Sequence, residues 1–328
     1  MNVIPAALSS LLILISGIVS FHLSAATWHM PTPYDDQTLS TTIAREFARE
    51  VKAGSGGALH IRVRAGASLL KHPKIPQAVM SGQVQIAEMF IGILGDSHPI
   101  FKHDNIPFLA TNYHQARKLW LAAKPEIKKQ LREKGLVLLY TTPWPAQGLY
   151  TQKPIHALSD IKGTKMRVYS ASTSRLAALM NTQPTLVQVP ELYQAFSKDK
   201  VNAMFTSSST GVHTRAWNYL DYFTKVKAWI PKNFVVANEN AFKRLNLTTQ
   251  IAIINAAAVA EKKGWEKIQQ QELRDTRLLA ENGMKVEEPS ETLINELKVI
   301  GATMAEEWQQ ESPSTLTPVL TLYRHQKK

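Results

Sequence analysis

The sequence predicts an α/β protein built as two lobes with a hinge between them. Three observations support this. Strand-like and helix-like periods alternate from residue 27 to 142, a second and very regular alternation fills 165–217, and a long helical pattern over 248–281 is placed to bridge the two. The 328 residues suffice for two domains of ordinary size.

The first unit opens with a short strand, "TWHM", and a turn-rich stretch, "PTPYDDQ". Asp35 and Asp36 read as an Asx-type start to the next helix and as candidates for a pocket rim. Ile43, Phe47 and Val51 recur four apart, so 39–53 is an amphipathic helix that "GSGG" ends. In "ALHIRVRAG", Leu59, Ile61 and Val63 alternate with His60, Arg62 and Arg64, the pattern of a half-buried strand. A short helix (75–82), a buried strand ("VQIAEMFIG"), a helix (112–134) and another strand ("LVLLYTT") complete a unit whose order predicts a largely parallel sheet.

The Pro- and Gly-punctuated stretch 153–163 leads to the second unit. Its strands are 165–169, 185–189 and 201–205, and its helices 172–181, 190–198 and 209–217. "YFTKVKAWI" and "NFVVANENAF" read as further strands, followed by helices at 248–281, 289–309 and 313–325, the first with Gly264 in mid-pattern. In parallel sheets ligands sit beyond the carboxyl ends of the strands, so Arg167, Tyr169, Phe205 and Thr206 should gather at one rim. Ser170 with Ser172, and 206–209, begin helices there, and helix starts offer unpaired amides.

Apolar content of 44% and charged content of 20% describe a globular chain. Without Cys there is no disulfide, thiolate metal site or Cys nucleophile. Basic residues exceed acidic ones by 12. The excess is spread along the chain, and nothing resembles a groove-reading helix or a stacking platform, so it points away from nucleic acid and toward other anions. No charged side chain precedes Asp35. An apolar run from Leu11 to Val19 ends before Ser24-Ala25-Ala26, which reads as a signal peptide over 1–26, cleaved on export to the periplasm. The absence of Lys or Arg ahead of the run leaves an uncleaved anchor as the other reading.

"GTKMRVYSAS" places Lys165, Arg167 and Tyr169 on one strand face and Met166 and Val168 on the other. Parity leaves Arg167 two readings: a partner for an anionic ligand, or for an internal Asp or Glu. Lys165 reads as solvated or in a rim ion pair.

In "AGASLLKHPKIPQAVMSGQVQIAE", "IPFL", "KPIHALSDIKGTKMRV" and "VQVPELYQAFSKDKVNAMF" the chain resembles the DctP-type solute-binding proteins of tripartite ATP-independent periplasmic (TRAP) transporters, and the resemblance covers essentially its whole mature length. The resemblance implies a two-lobed periplasmic-binding-protein fold of type II-like form, with a long helix spanning both lobes. It places the first lobe at 27–148 with parts of about 233–260 returning to it, the second at 149–232, the spanning helix at 248–281, and C-terminal helices over 282–328 packed across both. It implies a receptor that captures a small organic acid and hands it to a membrane permease, with no cofactor, no metal and no catalysis, acting as a monomer.

The family's carboxylate-clamping Arg falls on Arg167. Two departures shape the expected ligand. Members often carry Gln-Glu-Asn where this chain has Met204-Phe205-Thr206, which puts Thr206 in place of an assisting Asn. They often carry a second Arg in the loop that reads "TPWPAQGLY" here, and this chain has none. A single clamp favours a monocarboxylate with an apolar or ring-shaped body. Trp144, Phe205 and Trp217 are candidate walls, though each alone is more often core than pocket. Thr32, Tyr34 and Lys71 are the candidates from the first lobe. A receptor for an ATP-driven importer and a periplasmic enzyme are the other readings. His98, His103 and Asp104 could touch a metal but read as surface residues, and the serines of 207–209 lack a nucleophile elbow.

Overall fold

The computed structural model describes residues 25–325. The expected signal segment, apart from Ala25 and Ala26, lies outside them. No helix among the described residues is long and apolar enough to cross a membrane.

The first lobe is built from β1 (Ala26–Pro31), α1 (Leu39–Gly54), β2 (Leu59–Arg64), α2 (Ile75–Met80), β3 (Ile86–Phe90), α3 (Tyr113–Glu133) and β4 (Leu136–Pro143). The second takes β5 (Gln147–Thr151), β6 (Lys165–Val168), α4 (Ala171–Leu179), β7 (Gln183–Leu186), α5 (Leu192–Ser197), β8 (Ala203–Ser207), α6 (Ser208–His213) and β9 (Tyr222–Thr224). The chain then returns through β10 (Lys232–Asn238) and α7 (Glu239–Lys243) to the first lobe. It continues in α8 (Leu247–Glu281), β11 (Lys285–Glu287), α9 (Glu291–Glu311) and α10 (Pro313–His325).

The sheets are mixed, which corrects the largely parallel expectation. In the first lobe β1 and β2 pair in parallel, while β10 lies antiparallel between β3 and β4. The sheet of the second lobe runs β11-β9-β5-β8-β6-β7, with β5 antiparallel to both of its neighbours. The reason is topological. The chain enters the second lobe along β5 and leaves toward β10, so each connecting strand runs against its sheet. "TPWPAQGLY" thus contains a strand rather than only a loop. Gly148 fits there because a Cβ would lie 2.4 Å from the Phe223 ring and 2.7 Å from the Thr224 carbonyl.

The two crossings run side by side. Trp144 N–H donates to the Pro231 carbonyl (2.9 Å), Gln147 N–H to Trp229 (2.9 Å), and Ala228 N–H to Gln147 (3.0 Å). α8 is the third link. Its 35 residues reach about 52 Å at 1.5 Å per residue, long enough to touch both lobes. Its first half packs in the core with Ile43, Phe47 and Val51, and Leu279 near its end packs in the second lobe. Gly264 lets α8 lie against β4, since a Cβ there would stand 3.2 Å from Thr142. α9 seals the second core with Leu293, Leu297, Ile300 and Met304, and α10 seals the first with Leu316, Val319, Leu320 and Tyr323.

The turn before α3 is fixed to β10 by a buried ion pair. Asp104 accepts from Lys232 N–H at 2.9 Å and lies 3.1 Å from its Nζ. Asp104 therefore faces the interior, not the loop surface expected of it. Removing one partner strands the other charge in the core. Asp104→Ala should cost roughly 3–5 kcal/mol in chemical denaturation. Asp104→Asn combined with Lys232→Met should recover much of that loss, because no charge then stays buried.

Candidate functional site

Arg167 sits near the end of β6, opposite Met204 of β8 in the parallel register, so it shares a sheet face with Met204 and Thr206. It is 2% exposed. Its Nε donates to the Val187 carbonyl at 2.9 Å, and its guanidinium lies over the Tyr169 ring at 4.5 Å. Among the described residues no carboxylate reaches it within ion-pair distance. Burial lowers its pKa to about 10, with the Tyr169 and Tyr34 hydroxyls opposing that shift. It remains a cation at neutral pH, desolvated and without an internal counter-charge.

The cavity around it lies between the lobes and measures 40 Å³. From the first lobe and the crossing it takes Tyr34, His72, Phe90, Trp144 and Pro231; from the second, Gln147, Arg167, Tyr169, Gln188 and Thr206, with Ser207 and Thr210 beside them. A wider cleft of 570 Å³ adjoins it, sharing Tyr34, Trp144 and Thr210, with Asp35 at its rim.

Each wall is held. Trp144 Nε1 donates to Asn233 (2.8 Å), whose amide donates to the buried Glu88 (2.9 Å). The Tyr34 ring meets Trp144 edge-on at 4.8 Å, and Phe90 meets Tyr169 edge-on at 5.5 Å across the lobes. Tyr169 OH donates to Gln147 at 3.3 Å. Burial raises the pKa of Tyr34 and of Tyr169, so both keep their protons. Ser207 caps α6 by accepting from Thr210 N–H at 3.1 Å. Of the two expected helix starts, this one reaches the cavity, whereas Ser170 caps α4 outside its lining.

His72 links the lobes, its Nδ1 lying 3.1 Å from Gln188 Oε1. Burial first, with the Arg167 charge adding, lowers its pKa to about 4, against the Gln188 hydrogen bond that raises it. The imidazole is neutral at pH 7. Donation from Nδ1 to Gln188 leaves Nε2 an acceptor, and Nε2 is buried with no hydrogen-bond partner among the described residues.

The structure thus brings together Arg167, Tyr169, Thr206, Trp144 and Tyr34, and does not bring the other four candidates to the cavity. Phe205 immediately precedes Thr206, so it faces the opposite side and packs on Trp229 at 5.4 Å. Trp217 packs against the second-lobe core. Thr32 is buried outside the lining, and Lys71 is exposed while His72 beside it turns inward. Sequence reasoning missed His72, Gln147, Gln188 and Phe90. A histidine next to a lysine candidate in "LLKHPK", and the Gln within the quoted "VQVPELYQAF", were the available signals. Lys165 forms a surface pair with Asp199 at 2.5 Å.

Two lobes meet around a buried guanidinium that has no acidic partner among the described residues, which forms a site suited to an anion. The family profile described as bacterial extracellular solute-binding protein, family 7 (DctP) matches residues 32–311. The chain is 44% identical to DctP7 of Bordetella pertussis, an extracytoplasmic solute receptor binding pyroglutamic acid, with a TM-score of 0.90 over 92% of this chain and 100% of that one. DctP6 of the same organism, also binding pyroglutamic acid, is 36% identical at the same TM-score and coverage. A marine metagenome TRAP solute binding protein specific for pyroglutamate is 34% identical, TM-score 0.90, over 92% and 99%. The chain belongs to solute-binding protein family 7 and is a TRAP-type receptor, in a family of extracytoplasmic binding proteins rather than enzymes.

Two outcomes follow. Because Arg167 is buried without a counter-charge, Arg167→Met should leave the melting temperature of the protein without added ligand unchanged or raise it; a structural arginine would lower it by several degrees. His72 is held neutral when folded but takes a proton at pH about 6.5 when unfolded. The unfolded state therefore binds more protons between about 6.5 and 4, and stability falls as pH falls through that window. His72→Gln should flatten part of that fall in thermal melts.

Proposed function

We propose that the protein is the periplasmic receptor for pyroglutamate or a closely similar cyclic monocarboxylate, which it delivers unchanged to a TRAP permease. The observation that carries this is the buried Arg167 without an acidic partner. A guanidinium fork matches a carboxylate bidentately. The ligand identity is supported by the three receptors above, each similar to this chain over 92% of its length.

Pyroglutamate is a lactam bearing a single carboxylate, and its ring N–H is a donor. The unpaired Nε2 of His72 is the acceptor available for it. Gln147, Thr206 and the Tyr34 hydroxyl can serve the lactam carbonyl and the remaining carboxylate lone pairs. Micromolar binding corresponds to about −8 kcal/mol. A charge-assisted clamp supplies about 1.5–3 kcal/mol of that, so ring burial against Trp144, Phe90 and Tyr169 must supply most of the rest. Export through a cleaved signal over 1–26, action as a monomer, and binding without chemical change complete the reading.

Calorimetry on the exported chain is expected to show pyroglutamate binding that Arg167→Lys weakens roughly ten- to hundredfold, since a point charge does not reproduce the fork. 5-Oxotetrahydrofuran-2-carboxylate keeps the carboxylate, the ring and its carbonyl but has an oxygen in place of the N–H. It should bind more weakly by about 1–3 kcal/mol, and His72→Phe should erase that difference. A protein that ignores pyroglutamate contradicts the ligand assignment. Equal binding of the two acids by the unaltered protein contradicts the role of His72 alone.

A further inference from the structure

A second concave site lies on the first lobe, between α1 and the open edge of β2. It measures 430 Å³ and is lined by Arg45, Arg49 and Lys52 of the helix and by His60, Arg62 and Arg64 of the strand. Arg45 is paired with Asp36. Arg49, Lys52, Arg62 and Arg64 have no acid within ion-pair distance among the described residues, and Glu46 of α1 is taken by Lys263 and Lys267.

β2 is the last strand of its sheet. Its ladder with β1 uses alternate residues: Ala26 N–H donates to the Ala58 carbonyl (2.9 Å) and Thr32 N–H to the Arg64 carbonyl (3.0 Å). By the regular alternation of a parallel pair, the backbone groups of Ile61 and Val63 point to the open side. Both residues line the groove.

We propose that this groove docks an acidic, extended segment of a partner protein, which adds as a strand to the free edge of β2. Each face of such a strand meets cations. One face turns to Arg45, Arg49 and Lys52, which recur at i, i+4 and i+7 and span about 10 Å. The other lies beside His60, Arg62 and Arg64 on the solvent side of β2. That span matches three extended residues at about 3.3 Å each, so a run of consecutive Asp or Glu finds a partner at every position. Charges on an edge strand also keep sheets from pairing edge to edge. That duty is served by Arg62 and Arg64 alone and leaves Arg49 and Lys52 on the facing helix without a use. A flat lipid surface would meet the arginine tips but not the backbone of Ile61 and Val63 in the groove. The proposal does not depend on the identity of the organic acid.

The test uses the exported chain and a short acetylated peptide carrying a run of consecutive glutamates, with a lysine-for-glutamate version as control. Fluorescence anisotropy should show binding of the acidic peptide only, weakened roughly tenfold or more by high salt. Deuterium exchange should slow at the Ile61 and Val63 amides. Arg62→Glu with Arg64→Glu, and separately Arg49→Glu with Lys52→Glu, should each abolish binding without shifting the melting temperature. Sedimentation with phosphatidylglycerol vesicles distinguishes a lipid partner. Vesicle binding through the same residues without peptide binding overturns the proposal. So does peptide binding that survives both double variants, or that leaves Ile61 and Val63 unprotected.

Discussion

The arrangement depends on one uncompensated charge. A guanidinium taken out of water without a counter-ion costs free energy that the fold does not recover internally. Arg167 is held in that condition by a carbonyl, a tyrosine ring and burial between two lobes. Such a site has a standing preference for whatever supplies a carboxylate. Under the proposed function closure and recognition are one event, because a ligand that neutralises Arg167 favours the shut form over the open one.

The rest of the fold makes that event specific. Three chain crossings join the lobes, α8 being the longest. His72 and Gln188 meet across the cleft at 3.1 Å, and Phe90 meets Tyr169. These contacts bridge the lobes, so residues of the proposed site also hold the two lobes together. The neutral state of His72 matters for this. A proton on its ring would add a second positive charge near Arg167 and turn the acceptor at Nε2 into a donor.

Much of this was legible in the sequence, for reasons that also mark its limits. Strand parity put Arg167 and Tyr169 on one face, and the register of β6 with β8 extends that face to Thr206. Parity argued against Phe205 as well, since neighbours in a strand cannot both look into one cavity; its aromatic character outweighed that rule. β5 was hidden by Pro143 and Pro145 before it and by Gly148 within it, whose missing side chain is the space the Phe223 ring occupies. With β5 unseen, Gln147 was unseen. His72 and Gln188 sit outside regular strands, where no period says which way a side chain turns. Lys71, not His72, was the natural candidate for an anion site, because charge is visible in a sequence and burial is not. The basic alternation of His60, Arg62 and Arg64 was equally plain. Only the fold shows that α1 lays three more cations opposite an open strand edge.

The most direct test of the central claim is a crystal structure of the exported chain with its organic acid bound. The ligand carboxylate should lie bidentately on the Arg167 guanidinium, with the lobes closed and a ring donor on His72 Nε2. A carboxylate seated elsewhere, with Arg167 turned to an internal acid, would contradict the account.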